Sequence, residues 1–363
     1  MPVRLSTSEP DFASRFDALL ATKREASEDV DQAVRAIIAD VRARGDKAVI
    51  DLSQKFDQVD LAAIGIRVTE DEVEKAARAC SPETLEALGF ARDRIREHHV
   101  RHLPQSETYT DALGATLGHR WTAVESAGLY VPGGLASYPS SVLMNAVPAK
   151  VAGVERLVIA VPSPKGELNP LVLAAARLAG VSEIYRVGGA QGIAALAYGT
   201  ETIKPVAKIV GPGNAYVAAA KRQVFGVVGI DSIAGPSEVL VIADRHNDPD
   251  WIAADLLAQA EHDTAAQSIL ITDDAAFADA VTAAVQRQVQ QLPKADIAGA
   301  SWRDFGAVIT VASLDEVPPL ADRIAAEHLE IATRDPDALA ARIRNAGALF
   351  LGAYTPEVIG DYV

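Results

Sequence analysis

The 363-residue chain contains a single cysteine, Cys80. One thiol cannot close an intramolecular disulfide, and it excludes an all-cysteine metal site within one chain. A reducing, cytoplasmic setting is expected on that ground. Positive charge is also scarce: 34 Lys and Arg stand against 49 Asp and Glu, a net charge of −15. Such a surface repels phosphate backbones and anionic headgroups, and no basic patch offsets it. Neither nucleic acid nor membrane is therefore expected as a partner. No apolar run approaches the roughly 18 residues that span a bilayer. The start, Met1-Pro2-Val3-Arg4-Leu5-Ser6-Thr7, lacks the apolar stretch of a secretory signal. Low-complexity segments and fixed-period repeats are missing as well.

What is present is an ordinary globular composition, 49% apolar and 23% charged, at a length that suggests two domains. The first hundred residues read as helices. Phe12, Phe16, Leu19 and Leu20 form one apolar stripe. Val30, Val34, Ile37, Ile38 and Val41 form a second, opened by Ser27 as N-cap and closed by Gly45. Thr69-Glu70-Asp71-Glu72 is a capping-box pattern, and a long helix follows Ser81-Pro82. That helix ends in His98, His99 and His102, which read as a solvated helix end rather than a metal site, because adjacent helical residues point about 100° apart.

From residue 127 short β-branched runs alternate with Ala-rich helical stretches. Strands are expected at 127–131, 156–161, 183–187, 208–210 and 239–242, and again at 268–272, 307–311 and 348–351. Helices fall between them, including 141–151, 170–178, 193–198, 215–225, 251–260, 275–291 and 338–344. This rhythm argues for an α/β fold with a doubly wound parallel sheet.

Three of the strands end in glycine-rich turns: Tyr130-Val131-Pro132-Gly133-Gly134, Val187-Gly188-Gly189-Ala190-Gln191-Gly192 and Val210-Gly211-Pro212-Gly213-Asn214. Glycine there lets backbone N–H groups approach a phosphate at a helix N-terminus. None of the turns is a G-x-G-x-x-G fingerprint. Any single turn is as well explained by tight βα geometry. Three together, flanked by Tyr130, Gln191 and Asn214, favour a nucleotide site. Asp231-Ser232-Ile233-Ala234-Gly235-Pro236-Ser237-Glu238 reads as a domain junction and a binding loop at once.

Two polar constellations stand on helices or helix ends in this reading. Gln259 and His262, in Gln259-Ala260-Glu261-His262-Asp263, are three residues apart and share a face. A polar helix end is the commoner meaning of such a pair, and metal ligation the rarer one. Asp361 would complete an oxygen and nitrogen donor set suited to Zn²⁺ or a neighbouring divalent ion. In Ala326-Glu327-His328-Leu329-Glu330, a carboxylate beside an imidazole offers two titrating groups for acid–base work.

These motifs in this order, along essentially the whole chain, resemble the histidinol dehydrogenase family. The residues that carry the likeness are Leu129–Gly134, Ser137–Ala146, Gly188–Gln191, Val210–Val217, Ile233–Glu238, Gln259–Asp263 and Ala326–Glu330. The resemblance implies oxidation of L-histidinol to L-histidine through L-histidinal, with two NAD⁺ reduced in turn. It implies that Tyr130, Gln191 and Asn214 contact NAD, that Gln259, His262 and Asp361 hold zinc, and that Ser237, Gln259, His262, His328 and Asp361 meet the substrate. Glu327 and His328 are implied as the catalytic acid–base pair. The fold implied is two incomplete Rossmann-like domains in an intertwined homodimer. The expected division is an N-terminal helical segment at 1–24, a first domain from 25–128 plus 237–363, and an inserted NAD-binding domain at 129–236.

The family continues for several dozen residues beyond Gly360-Asp361-Tyr362-Val363, with a further zinc-ligating histidine and a substrate-binding glutamate donated to the partner subunit. On that comparison the chain as given is expected to lack one protein ligand to zinc and to be inactive, or its sequence to stop short of the protein's end. The other readings are a related zinc and NAD dehydrogenase of another small alcohol, and a catalytically inactive scaffold.

Overall fold

The structure, a computed structural model, describes residues 1–22, 28–133, 138–233 and 235–362, with the backbone alone for 28, 361 and 362. Ser27, Gly134, Ser137, Ala234 and the side chain of Asp361 therefore lie outside the described residues. The chain opens with strand β1 (Val3–Ser6) and helix α1 (Phe12–Leu20). The expected helical N-terminal segment thus begins with a strand. Val3 and Leu5 alternate with polar neighbours, a period too short to register beside the helical stripe that follows.

Residues 26–234 form one compact unit, to which 361–363 are also assigned. Its first part is helical: α2 (Glu28–Arg44), α3 (Asp46–Asp57), α4 (Leu61–Ile64), α5 (Glu70–Ala79) and α6 (Pro82–Val100). The expected capping box is formed: Thr69 N–H donates to the Glu72 carboxylate at 2.9 Å, and Glu72 N–H donates to the Thr69 hydroxyl at 3.3 Å. A hairpin of β2 (Glu107–Thr110) and β3 (Thr116–His119) follows. Then come β4 (Ser126–Tyr130), α7 (Pro139–Val151), β5 (Arg156–Ala160), α8 (Pro170–Leu178), β6 (Glu183–Tyr185), α9 (Gly189–Tyr198), β7 (Lys208–Val210), α10 (Ala215–Val224) and β8 (Gly229–Ile230). Strands β4 to β8 make a five-stranded parallel sheet in the order β6-β5-β4-β7-β8. Leu129, Leu157 and Ile159 point to one face and Tyr130, Val158 and Ala160 to the other, so both faces are buried under helices.

Residues 1–25 and 235–360 form the second unit. After β1 and α1 it holds β9 (Glu238–Ala243), α11 (Pro249–Ala260), β10 (Gln267–Thr272), α12 (Ala275–Val289), α13 (Ala295–Asp304), β11 (Ala307–Thr310), α14 (Val317–Ile324), β12 (His328–Ala332), α15 (Pro336–Ala340), β13 (Ala348–Leu351) and a 3₁₀ turn at Glu357–Tyr362. Its sheet is parallel throughout, in the order β1-β11-β10-β9-β12-β13. Val239 and Val241 pack with α11 and α12, while Leu240 and Ile242 pack with α1 and α14. The α/β, doubly wound class is as expected.

The domain limits differ from expectation. The expected division joins residues 25–128 to 237–363, whereas their helices pack on the five-stranded sheet. Val34, Ile37, Ile38 and Val41 of α2 share a core with Ile193, Ala194 and Leu196 of α9. Leu88, Ala91 and Ile95 of α6 share another with Leu143 and Val147 of α7. An apolar stripe records that a helix has something to cover, and only tertiary structure shows which sheet it covers. Leu129, wholly buried in the central strand β4, tests the packing of this core. Leu129→Ala should lower unfolding free energy by about 2–5 kcal/mol, read as a shifted urea midpoint, and a loss below about 1 kcal/mol would contradict a tightly packed site.

Candidate active site

Glu327 and His328, the expected acid–base pair, lie at the amino edge of the six-stranded sheet. Helix α14 ends at Ala325, whose left-handed backbone (φ 50°, ψ 48°) is strained for a residue with a Cβ. Ala326 and Glu327 follow, and β12 starts at His328. The expected helix end at 326–330 is therefore a strand. Leu329 and Ile331 alternate into one core, and burial in a parallel sheet outweighs the local helical pattern of the Ala-rich run before them. Gly347 N–H donates to the Ala326 carbonyl at 3.1 Å, and Ala348 N–H donates to the Glu327 carbonyl at 2.9 Å. A Cβ on Gly347 would stand 2.5 Å from the Glu327 carbonyl oxygen, so only glycine permits this approach.

His328 Nδ1 lies 3.0 Å from the Glu238 carbonyl oxygen and 3.2 Å from Gln259 Oε1. Both neighbours only accept, so Nδ1 carries a hydrogen, and in the neutral ring the lone pair is on Nε2. That tautomer is the one a general base needs. The Glu327 carboxylate, more than half exposed, lies 3.9 Å from Nδ1 and accepts from the Glu238 N–H at 3.4 Å. Water can reach it, whereas the imidazole is held from behind.

A carboxyl cluster that sequence reasoning missed stands beside the imidazole. Glu330 is two residues along β12 from His328 and so points to the same sheet face; it is 3% exposed. Asp255 of α11 hydrogen-bonds it. Burial, then the Asp255 charge, pushes the Glu330 carboxyl up to about 9. Burial, with the Glu357 charge adding to it, pushes Asp255 up to about 6. Glu357 N–H donates to Glu330 Oε1 at 2.7 Å, and its own carboxylate lies 3.9 Å from His328 Nδ1. The available signal was a glutamate inside the apolar run Leu329-Glu330-Ile331-Ala332.

Two of the residues expected to hold a metal, Gln259 and His262, stand at the end of α11. Gln259, in the last turn of α11, is 1% exposed and faces His328. His262 lies past the helix end, exposed, with its N–H donating to the Gln259 carbonyl at 3.2 Å. An amide oxygen and an imidazole one turn apart fit a divalent ion of borderline softness. Among the described residues no three of His, Cys, Asp and Glu gather as a metal cluster. Ser237 is half-buried just before β9, and its carbonyl accepts from Gln267 N–H at 3.0 Å. His98, His99 and His102 lie at the end of α6, two of their rings 4.4 Å apart, as a helix end rather than a cage.

The three glycine turns belong to the other unit. Strands β4 and β7 are neighbours whose following connections run to opposite sides of the sheet, so their carboxyl ends flank its switch point, the usual ligand crevice of such sheets. Tyr130 is buried and its hydroxyl accepts from Gly189 N–H at 2.9 Å. Burial pushes its phenol up to about 12. Gln191 is buried at the start of α9. Asn214 caps α10, its Oδ1 accepting from Tyr216 and Val217 N–H at 3.1 and 3.2 Å. In the six-stranded sheet the corresponding crevice lies between the ends of β9 and β12. There the Asp244 carboxylate accepts from His246 and Arg334 N–H at 2.9 and 2.8 Å, so the chain's own anion takes the donors a bound phosphate would use.

The fold is that of a doubly wound α/β protein, and its six-stranded sheet carries an imidazole beside a carboxylate at its amino edge. A family model described as histidinol dehydrogenase matches residues 20–363. A histidinol dehydrogenase of Brucella suis is 68% identical over 363 residues, covering 100% of this chain and 84% of its own length. One of Bradyrhizobium diazoefficiens is 69% identical over the same span. The crystal structure of histidinol dehydrogenase from Elizabethkingia anophelis superposes with a TM-score of 0.93 at 35% identity, covering 100% of this chain and 83% of that one. The chain belongs to the histidinol dehydrogenase family.

The carboxyl cluster has a pH signature. A carboxyl whose pKa is higher folded than unfolded, here about 9 for Glu330 against about 4.3, favours folding below the lower value and loses that contribution as pH rises to the higher. Glu330→Gln keeps the shape and removes the titration. Its melting temperature should fall less between about pH 6 and 9 than the wild type's, and it should be at least as stable at pH 9. Equal slopes in thermal melts would count against a buried neutral Glu330.

Proposed function

We propose that this chain oxidises L-histidinol to L-histidine through L-histidinal with reduction of two NAD⁺, the closing steps of histidine biosynthesis. The observation that carries the chemistry is the orientation of His328, with Nδ1 held by Glu238 and Gln259 and Nε2 left basic. In the first oxidation Nε2 takes the hydroxyl proton as the carbon loses a hydride, which leaves the aldehyde. Glu327 then removes a proton from the water that adds to the aldehyde. Once His328 has passed its first proton to solvent, the hydrate loses its second hydride as His328 accepts the remaining proton, and the product is the carboxylate. When bound, NAD⁺ would supply the hydride acceptor and zinc a Lewis acid.

Gln259, His262 and Asp361 would hold the zinc. Ser237 and His328 join those three against the substrate, and Tyr130, Gln191 and Asn214 serve the dinucleotide. The carboxylates Glu327, Glu357 and Asp255 surround the site with negative charge, which suits a cationic amino alcohol. A homodimer is part of this reading. It is supported by the β2–β3 hairpin, whose strand residues are all exposed and whose turn carries Leu113 at 93% exposure, beside Tyr109 and Leu117. A lone two-stranded hairpin is marginal in water without something to pack on. We place the protein in the cytoplasm, without nucleic acid or membrane partners. No helix among the described residues is long and apolar enough to cross a membrane. Another small alcohol as substrate, or an inactive scaffold, is disfavoured by relatives 65–69% identical over the whole chain that are named histidinol dehydrogenase.

Incubation with L-histidinol, Zn²⁺ and excess NAD⁺ should yield two NADH per histidinol, and a ratio of one or none rejects the double oxidation. Glu327→Gln should spare the first oxidation more than the second, measured by supplying histidinol and histidinal separately. Equal loss of both steps speaks against Glu327 as the base for water. His328→Asn should lower both rates by about 10²–10⁴-fold, read as NADH formation from histidinol and from histidinal.

A further inference from the structure

Strands β7 and β8 end side by side, and the residue after each carries an unusual brace. Asp231, just past β8, continues the ladder through its N–H to the Ile209 carbonyl at 3.2 Å. Its Oδ2 accepts from Gly211 N–H at 2.7 Å, and its Oδ1 accepts from Ser232 N–H at 2.7 Å. Lys221, reaching back from the middle of α10, donates from Nζ to the Gly211 carbonyl at 2.9 Å and pairs with Asp231 Oδ1. Both main-chain polar groups of Gly211 are thus held by side chains. The residue itself has φ +111°, and a Cβ there would stand 2.2 Å from the Tyr130 carbonyl oxygen. The turn is pressed against the end of β4 and clamped from behind.

Lys221 is 2% exposed. Burying an ammonium group is expensive, and a buried ion pair is often no more stabilising than apolar residues of the same volume. Stability alone is therefore a weak reason for this pair. Its position gives a better one. Gly211 is three residues before Asn214, and the turn between them lies at the sheet's switch point.

We propose that Lys221 and Asp231 are positioning residues for the dinucleotide, fixing the peptides on either side of Gly211, and with them Asn214, before the cofactor arrives. This rests on the NAD reading given above. Without the pair the turn samples other conformations, and apparent affinity falls in proportion to the competent fraction.

The test uses the whole chain and NAD⁺ as probe. Calorimetry should give about tenfold weaker NAD⁺ binding for Lys221→Met and, separately, for Asp231→Asn. The KM for NAD⁺ should rise in step, with kcat and the KM for histidinol within about twofold of wild type. Hydrogen exchange of the cofactor-free wild type should show slow amides at Gly211, Gly213 and Asn214. Folded variants that bind NAD⁺ as tightly as wild type overturn the proposal. If neither variant folds, the wild-type exchange decides: amides that are fast when free and slowed only by NAD⁺ also overturn it. A wild type that binds no NAD⁺ sinks the cofactor reading, whatever the exchange shows about the brace.

Discussion

The imidazole depends on the parallel register of β9 and β12. That register sets His328 opposite Val239, which brings the Glu238 carbonyl to the imidazole's Nδ1. A main-chain carbonyl cannot change protonation state or rotate away, so the tautomer is fixed by the sheet itself. Gln259 adds a second acceptor from α11, and Gly347 lets the neighbouring strand's entry press on Glu327. Shifting β12 by one residue would send His328 to the opposite face, because side chains alternate with period two.

The two sheets use their edges differently. In the five-stranded sheet the glycine turns stand at the carboxyl ends of β4 and β7, where open α/β sheets bind ligands. In the six-stranded sheet that place is taken by Asp244, and the acid–base residues stand at the amino edge instead. Helix donors that would attract a phosphate are already satisfied on one side. On the other, carboxylates crowd an imidazole, and Glu330 keeps its proton because burial and the Asp255 charge oppose its ionisation. The candidate residues of the two sheets therefore lie at edges of opposite polarity along the strands.

Much of this was legible in the sequence. The alternation of β-branched runs with Ala-rich stretches marks eight of the eleven described strands of the two sheets, all but β1, β8 and β12, and the polar pairs Glu327–His328 and Gln259–His262 are visible as spacing. Glu330, Asp255 and Glu357 were not singled out, because each is an ordinary acidic residue until the fold brings the three together from separate elements. The Lys221–Asp231 pairing is invisible in the sequence for the same reason: a lysine in α10 and an aspartate after β8 meet only through the pairing of β7 with β8. The segment at 326–330 was read as helix because its alanine content is local, while its burial in a parallel sheet is not.

What the sequence determined by itself is the set of chemical types and their order along the chain: one cysteine, an excess of acid, glycine where strands end, an imidazole next to a carboxylate. These follow from composition and from periods of two and 3.6 residues, which are properties of short stretches. Tertiary structure alone decided which sheet the helices at 28–100 cover, which nitrogen of His328 is free, and which carboxyl keeps its proton. Those depend on distances between residues far apart in the chain, and on how completely water is excluded between them.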